Sequence, residues 1–201
     1  MGNPVTRIDR ARVALNMKNA GNKYVNTKEN VFSLARGRAQ YNVATICLIY
    51  NATGDTITLR RHFHKWGKFE SSSYPRNIPN GQWAAFLYGE ASWPDRPAFL
   101  HGESYWARPI GPESETAVLY RGKNEAGQEC DWLFAWSSPC KAYTEIKEVY
   151  YFKNRWNEIG DKLDNSDLTK QDEWNGCLSY ASIESTDEFP VFEAILTLKN
   201  A

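Results

Sequence analysis

His62 and His64 stand two residues apart, a spacing that places both imidazoles on one face of a strand, where a pair can share a metal ion. Lys65 follows them and no acidic or thiol partner stands near in the chain, so the pair is expected to be solvated. None of the three histidines sits in a nucleophile signature, and neither a G-x-S-x-G elbow nor a glycine-rich phosphate loop is present. Cys47, Cys130, Cys140 and Cys177 form no C-x-x-C pair and have no histidine at zinc spacing, which predicts free thiols. Glu129 and Asp131 flank Cys130, but a strand puts those carboxylates on one face and the thiol on the other, an arrangement unsuited to acid–base work. The expectation is therefore a non-enzymatic protein with no catalytic residue, metal or cofactor.

Recognition by aromatic rings is the chemistry that remains. In 201 residues there are 8 Trp, 11 Tyr and 9 Phe, or 14%, and rings that join an apolar face to a polar tip favour binding surfaces and membrane boundaries. Two clusters stand out. Ala91 to Glu113 joins Trp93, Phe99, Tyr105 and Trp106 to prolines and glycines without periodicity, which reads as a long, stiff loop. Trp136-Ser137-Ser138-Pro139-Cys140-Lys141-Ala142-Tyr143 joins two predicted strands. Against a membrane, this loop would hold Tyr143 at headgroup level, Lys141 near phosphate, and a hydroxyl of Ser137 or Ser138 on the headgroup.

The elements that must position these clusters follow from pattern. Thr6 and Asp9 predict a capped helix over Thr6 to Ala20, with Ile8, Ala11 and Leu15 inward and Gly21 as its stop. A second helix is predicted over Thr27 to Ala35, with Val31, Leu34 and Ala35 as its inner face. After Tyr41 the period becomes two. Thr45 to Tyr50, a turn at Asn51-Ala52-Thr53-Gly54-Asp55, and Thr56 to Arg60 read as a hairpin. Strands are expected at Gln82 to Tyr88, Ala117 to Tyr120, Asp131 to Ser137, Thr144 to Phe152, Gly176 to Ser182 and Val191 to Leu198. Trp156, Ile159 and Leu163 mark one late helix, weakened by Gly160. The predicted fold is a mainly β sandwich in one domain, residues 1–201, with a helical segment over 1–40 packed on a sandwich over 41–201.

Charge narrows the partners. Twenty-four Lys and Arg balance twenty-four Asp and Glu, which removes the drive for binding nucleic acid through phosphates. No run of Lys and Arg marks an anionic membrane, whereas zero net charge suits a zwitterionic one. No stretch has the length of a signal peptide core or a membrane span, so the expectation is a soluble protein, cytoplasmic or secreted without a signal peptide, that associates peripherally with membranes. Asn51-Ala52-Thr53 forms a glycosylation sequon but reads more simply as turn residues, and Gly2 to Thr6 fits a myristoylation pattern interrupted by Pro4.

From Tyr41 onward, YNATGDTITL, IPNGQWAAFL, VLYRGKNEAGQECDWLFAWSSP, AYTEIKEV and DEWNGCLSY follow one another in an order that resembles the actinoporin-like sandwich, its nakanori-like branch in particular, and the plant 23-kDa jasmonate-induced proteins. LFAWSSP followed by Tyr143 resembles the actinoporin strand and S-x-P loop that carry phosphocholine-binding residues. The helix holding Trp156 resembles that family's membrane-facing second helix, and EWNGCLSYASI its following strand. The resemblance implies a β-sandwich flanked by helices that binds phosphocholine lipids, above all sphingomyelin with cholesterol, through Ser137, Pro139, Tyr143 and Trp156.

Gly160 and Asp161 stand where the actinoporin helix carries a tyrosine pair, and the serine–proline loop is shorter. Trp93, Tyr105 and Trp106 of the aromatic loop are expected to supply the missing rings. The actinoporin pore is built by an apolar N-terminal helix, whereas Arg7, Arg10, Arg12, Asn16, Lys18 and Asn19 stud the one here, so lipid binding without pore formation is expected. A carbohydrate-binding module using the same rings, and a stress-induced protein acting through a protein partner, remain open alternatives.

Overall fold

The computed structural model describes residues 5–37, 41–64, 74–91, 115–137, 140–186 and 189–201. Among these residues two helices, α1 (Arg7–Asn16) and α2 (Lys23–Arg36), precede ten strands: β1 (Tyr41–Ala52), β2 (Ile57–His64), β3 (Asn77–Ile78), β4 (Gln82–Ala91), β5 (Glu115–Lys123), β6 (Glu129–Ser137), β7 (Lys141–Glu148), β8 (Thr169–Trp174), β9 (Cys177–Glu184) and β10 (Val191–Leu198). A third helix, α3 (Trp156–Asp164), lies between β7 and β8. The strands form two five-stranded sheets, ordered β4-β1-β10-β9-β8 and β3-β2-β5-β6-β7. All pairings are antiparallel except β1 with β10.

Between the sheets lies one core built of Cys47, Ile49, Trp132, Phe134, Trp136, Phe192, Ala194 and Leu196 with their neighbours. Trp136 stacks on Phe192 at 4.7 Å across this gap. Much of the aromatic excess is thus consumed here, since Trp132, Trp136 and Tyr120 are fully buried in this core, while Tyr50 is buried on the outer face beneath α1. Helices then cover both outer faces. α2 packs Val31 and Ala35 on Ile46, Leu48 and Leu87, whereas α3 packs Ile159 and Leu163 on Ala117, Leu119, Leu133 and Ala135. Burial on both faces explains why Thr45 to Tyr50 is a continuous buried run instead of an alternating one.

The turn at Asn51 to Asp55 is not a hairpin. β1 belongs to one sheet and β2 to the other, so this segment arches across the edge of the sandwich. Asn51 holds the arch from inside: its Nδ2 donates to the carbonyls of Asp55 (2.8 Å) and Ile78 (2.7 Å), while its Oδ1 accepts from the N–H of Thr53 at 3.0 Å. The sequon asparagine is fully buried with its amide engaged, which leaves no room for a glycan on the folded chain.

α1 starts as expected, with a reciprocal capping box between Thr6 and Asp9, and ends at Asn16, ahead of the predicted Ala20. Gly21 (φ 61°) and Asn22 (φ 57°) turn the chain directly into α2, which therefore begins earlier than predicted. Leu34, expected on the inner face of α2, is 55% exposed. The polar residues of α1 tie it to the sandwich. Arg7 donates to the carbonyls of Asn124 and Glu125, Arg10 to Gly54 O and Asp55, and Arg12 to Asn200 O. Gly54 has φ +88°, and a Cβ there would lie 2.3 Å from the Arg7 carbonyl oxygen. Gly54→Ala is expected to push α1 off the arch at a cost above about 1 kcal/mol. Limited trypsin digestion should then cut at Arg7, Arg10 and Arg12 faster than in the parent protein.

Cys47, Cys130, Cys140 and Cys177 are free, as expected, and the buried Cys130 and Cys177 thiols lie 3.7 Å apart across the two sheets. This thiol–thiol hydrogen bond, with burial beside it, pushes the Cys130 thiol well above its usual range and keeps it protonated. β7 stops at Glu148 rather than Phe152, because the chain turns through Tyr150 at φ 72°. β3 and β8 were outside the sequence expectation; β8 is polar and largely exposed, and β3 is two residues long.

Candidate functional site

The β6–β7 hairpin and α3 bring three of the sequence-predicted residues onto the outer face of one sheet. Ser137 ends β6 and pairs with Glu115 on one side and Lys141 on the other. The turn beyond it is closed by the Cys140 N–H on the Ser137 carbonyl at 3.1 Å. Pro139 lies outside the described residues, as do Trp93, Tyr105 and Trp106. One register inward, Phe63, Ala117, Ala135 and Tyr143 form a row across the four strands β2, β5, β6 and β7. Two alanines between two rings make a trough, and α3 lies in it. Gly160 serves the same close approach, since a Cβ on it would meet Glu115 Oε2 at 3.2 Å.

Tyr143 is therefore a buried residue of this layer, 7% exposed, and its hydroxyl donates to Glu145 Oε2 at 2.9 Å. Burial, with the Glu145 carboxylate beside it, pushes the phenol well above its usual range, so it stays a donor. Lys141 does not point free into solvent but donates to the Asp164 carbonyl at the end of α3. Trp156, at the start of α3, stacks on Phe63 with centroids 4.9 Å apart and planes 7° apart. Ser137 is buried at the rim.

A charged lattice that sequence reasoning missed frames these groups. Glu145 pairs with Lys162 (3.0 Å) and Lys147 (3.3 Å), and Lys162 also reaches Glu158 at 3.1 Å. Burial alone would lower the Lys162 pKa, but the hydrogen bonds it donates to Glu145 and Glu158 outweigh that and raise it. Glu158 is held below its usual value by hydrogen bonds from Lys162 and Arg155. The Glu158–Lys162 spacing is visible on the predicted helix, whereas Glu145 reaches Lys162 only because β7 lies under α3. His62 and His64 do share a face, with ring centroids 5.2 Å apart, and they stack with Tyr74. Among the described residues no group of three metal-ligating side chains occurs.

Two antiparallel-rich sheets face to face, with helices on both outer faces and a hairpin–helix layer on one of them, define a helix-clad β-sandwich. The chain belongs to the Nakanori-like protein family, whose model matches residues 2–199. It is 36% identical over 188 residues to the 23 kDa jasmonate-induced protein of Hordeum vulgare, a match covering 90% of this chain and 81% of that protein. A jasmonate-induced protein homolog of Atriplex canescens is 28% identical over 134 residues, 61% of each chain. The crystal structure of the lipid-binding protein Nakanori shares the fold at a TM-score of 0.73 and 17% identity, covering 97% of this chain and 89% of that one.

Proposed function

We propose that this protein is a non-enzymatic lipid-binding module that docks reversibly on membranes carrying phosphocholine lipids, sphingomyelin with cholesterol foremost, without forming pores. The observation that carries the reading is a family match over nearly the whole chain, joined to a fold shared with a lipid-binding protein. The headgroup site would lie at the rim where Ser137 and the end of α3 meet, with Pro139 as a further candidate from the sequence and with Tyr143 and Trp156 fixing the layer beneath. Trp93, Tyr105 and Trp106 would enter the lipid interface, where such rings gain most.

Two features favour binding over lysis. Among the described residues no helix is long and apolar enough to cross a membrane. α1 is held to the sandwich by Arg7, Arg10 and Arg12, so its departure would break every one of those contacts.

Co-sedimentation with liposomes of phosphatidylcholine, phosphatidylcholine with cholesterol, and sphingomyelin with cholesterol tests the reading, with dye release followed in parallel. The expected result is association confined to the sphingomyelin mixture, no leakage, and inhibition by free phosphocholine. Trp93→Ala and Trp106→Ala should weaken association about fivefold or more, the loss of one interfacial ring being worth on the order of 1 kcal/mol. Tyr143→Phe is the apt change at the buried tyrosine, because it removes only the hydroxyl. Absence of association with every mixture would refute the membrane reading, and inhibition by free glycans instead of phosphocholine would replace it with sugar binding.

A further inference from the structure

At the other end of the same sheet face, about 20 Å from Ser137 by strand rise, a cavity of about 210 Å³ is lined by Arg60, Arg61, Leu119, Arg121, Asp131, Tyr150, Phe152 and Lys153. Its four cations come from three separate segments. Arg60 and Arg61 are consecutive, and a regular strand would send them to opposite faces. The β2–β5 register shifts between Leu59 and Arg61, and this irregularity lets both side chains line one cavity. The left-handed turn at Tyr150 (φ 72°) closes the far wall and leaves that ring 71% exposed, with the Arg121 guanidinium 5.1 Å from its centroid.

Among the described lining residues the one carboxylate is already spent. Asp131 accepts Arg121 Nε at 2.7 Å and its terminal nitrogen at 3.0 Å, together with the Tyr150 N–H at 3.3 Å. Arg60, Arg61 and Lys153 have no ion-pair partner among the described residues, whereas Arg10, Arg155 and Lys162 each hold a carboxylate at 2.8 to 3.0 Å. A concave site with three uncompensated positive charges, on a chain of zero net charge, is built for a compact anion. Two guanidinium forks and an ammonium offer more donors than one carboxylate can accept and match the oxygens of a phosphate. The volume lies below the roughly 300–1,000 Å³ of pockets for drug-sized ligands, which fits a single phosphate-bearing group.

We propose that this cavity binds a phosphomonoester dianion, either a free phosphate compound or the headgroup of a phosphatidate-type lipid. The site is separate from the phosphocholine rim and does not depend on that reading.

Titration calorimetry with inorganic phosphate, against chloride at matched ionic strength, is the direct test, run beside co-sedimentation with phosphatidylcholine vesicles with and without phosphatidate. Phosphate is expected to bind and to weaken as salt rises. Arg60→Gln, Arg61→Gln and Lys153→Gln, all at exposed residues, should each weaken it at least about threefold, and the triple variant should abolish it without lowering the melting temperature. Arg155→Gln, whose charge is paired with Glu158, serves as the control and should leave binding unchanged. Phosphate binding without vesicle recruitment assigns the site to soluble phosphates. Phosphatidate-dependent recruitment that inorganic phosphate blocks assigns it to the lipid. Neither phosphate binding nor phosphatidate-dependent recruitment, or equal binding by parent and triple variant, overturns the proposal. Sphingomyelin association of the triple variant should match the parent, which keeps failure here distinct from failure of the phosphocholine reading.

Discussion

Asp131→Ala is expected to destabilise the protein by about 3–5 kcal/mol, the range for removing one member of a buried ion pair. Asp131 and Arg121 have side chains only 1% and 12% exposed, so the abandoned guanidinium would stay largely buried without its counter-charge. The Tyr150 N–H loses its acceptor in the same step, and the turn that closes the basic cavity loses its anchor. At about 2–4 °C per kcal/mol for a chain of this size, the melting temperature should fall by roughly 6–20 °C. Replacing both partners with leucine should recover much of this, because two apolar groups leave no buried charge. A double-mutant cycle by chemical denaturation would read the difference as a coupling energy. If Asp131→Ala alone leaves the midpoint within a degree or so of the parent, the pair is not holding this edge of the sheet.

Asn51→Ala should rank beside it. The alanine keeps the arch sterically open but strips the acceptor from Thr53 N–H and the donors from two carbonyls, those of Asp55 and Ile78. At about 1–3 kcal/mol for each buried group left unsatisfied, with partial relaxation, the loss should come to roughly 3–5 kcal/mol. Hydrogen exchange offers a sharper view than a melting curve. Amides of the arch and the start of β2 should lose protection first, while those of β6 and β10 keep it until global unfolding. An unchanged arch would mean that the two sheets are joined firmly enough without this side chain.

The strands were legible wherever burial is one-sided or continuous and the turn chemistry is local. Val191 to Leu198 runs over the residues expected, and the Thr6–Asp9 box caps α1 as its spacing demands. The hairpin reading of Asn51 to Asp55 failed for a definite reason. The same turn-forming residues suit a tight reversal within a sheet and an arch between sheets, and the choice lies with Ile78, which belongs to neither strand and takes the Asn51 amide. Tyr143 met the same limit. Alternation places it on a face, but the face is covered by α3, and nothing local to β7 reveals that.

By itself the sequence determined a mainly β chain with three helices, free cysteines and a strand ending at Ser137, because periodicity, caps and thiol spacing act over a few residues. Tertiary structure alone decided which sheet each strand joins, that Tyr143 is buried and hydrogen-bonded to Glu145, and that Arg60, Arg61, Arg121 and Lys153 meet in one cavity. The chain carries no basic run and no net charge, yet a local excess arises. Charges distant in sequence converge only through long-range strand register, one register shift and one left-handed turn, and none of these leaves a mark in the order of residue types.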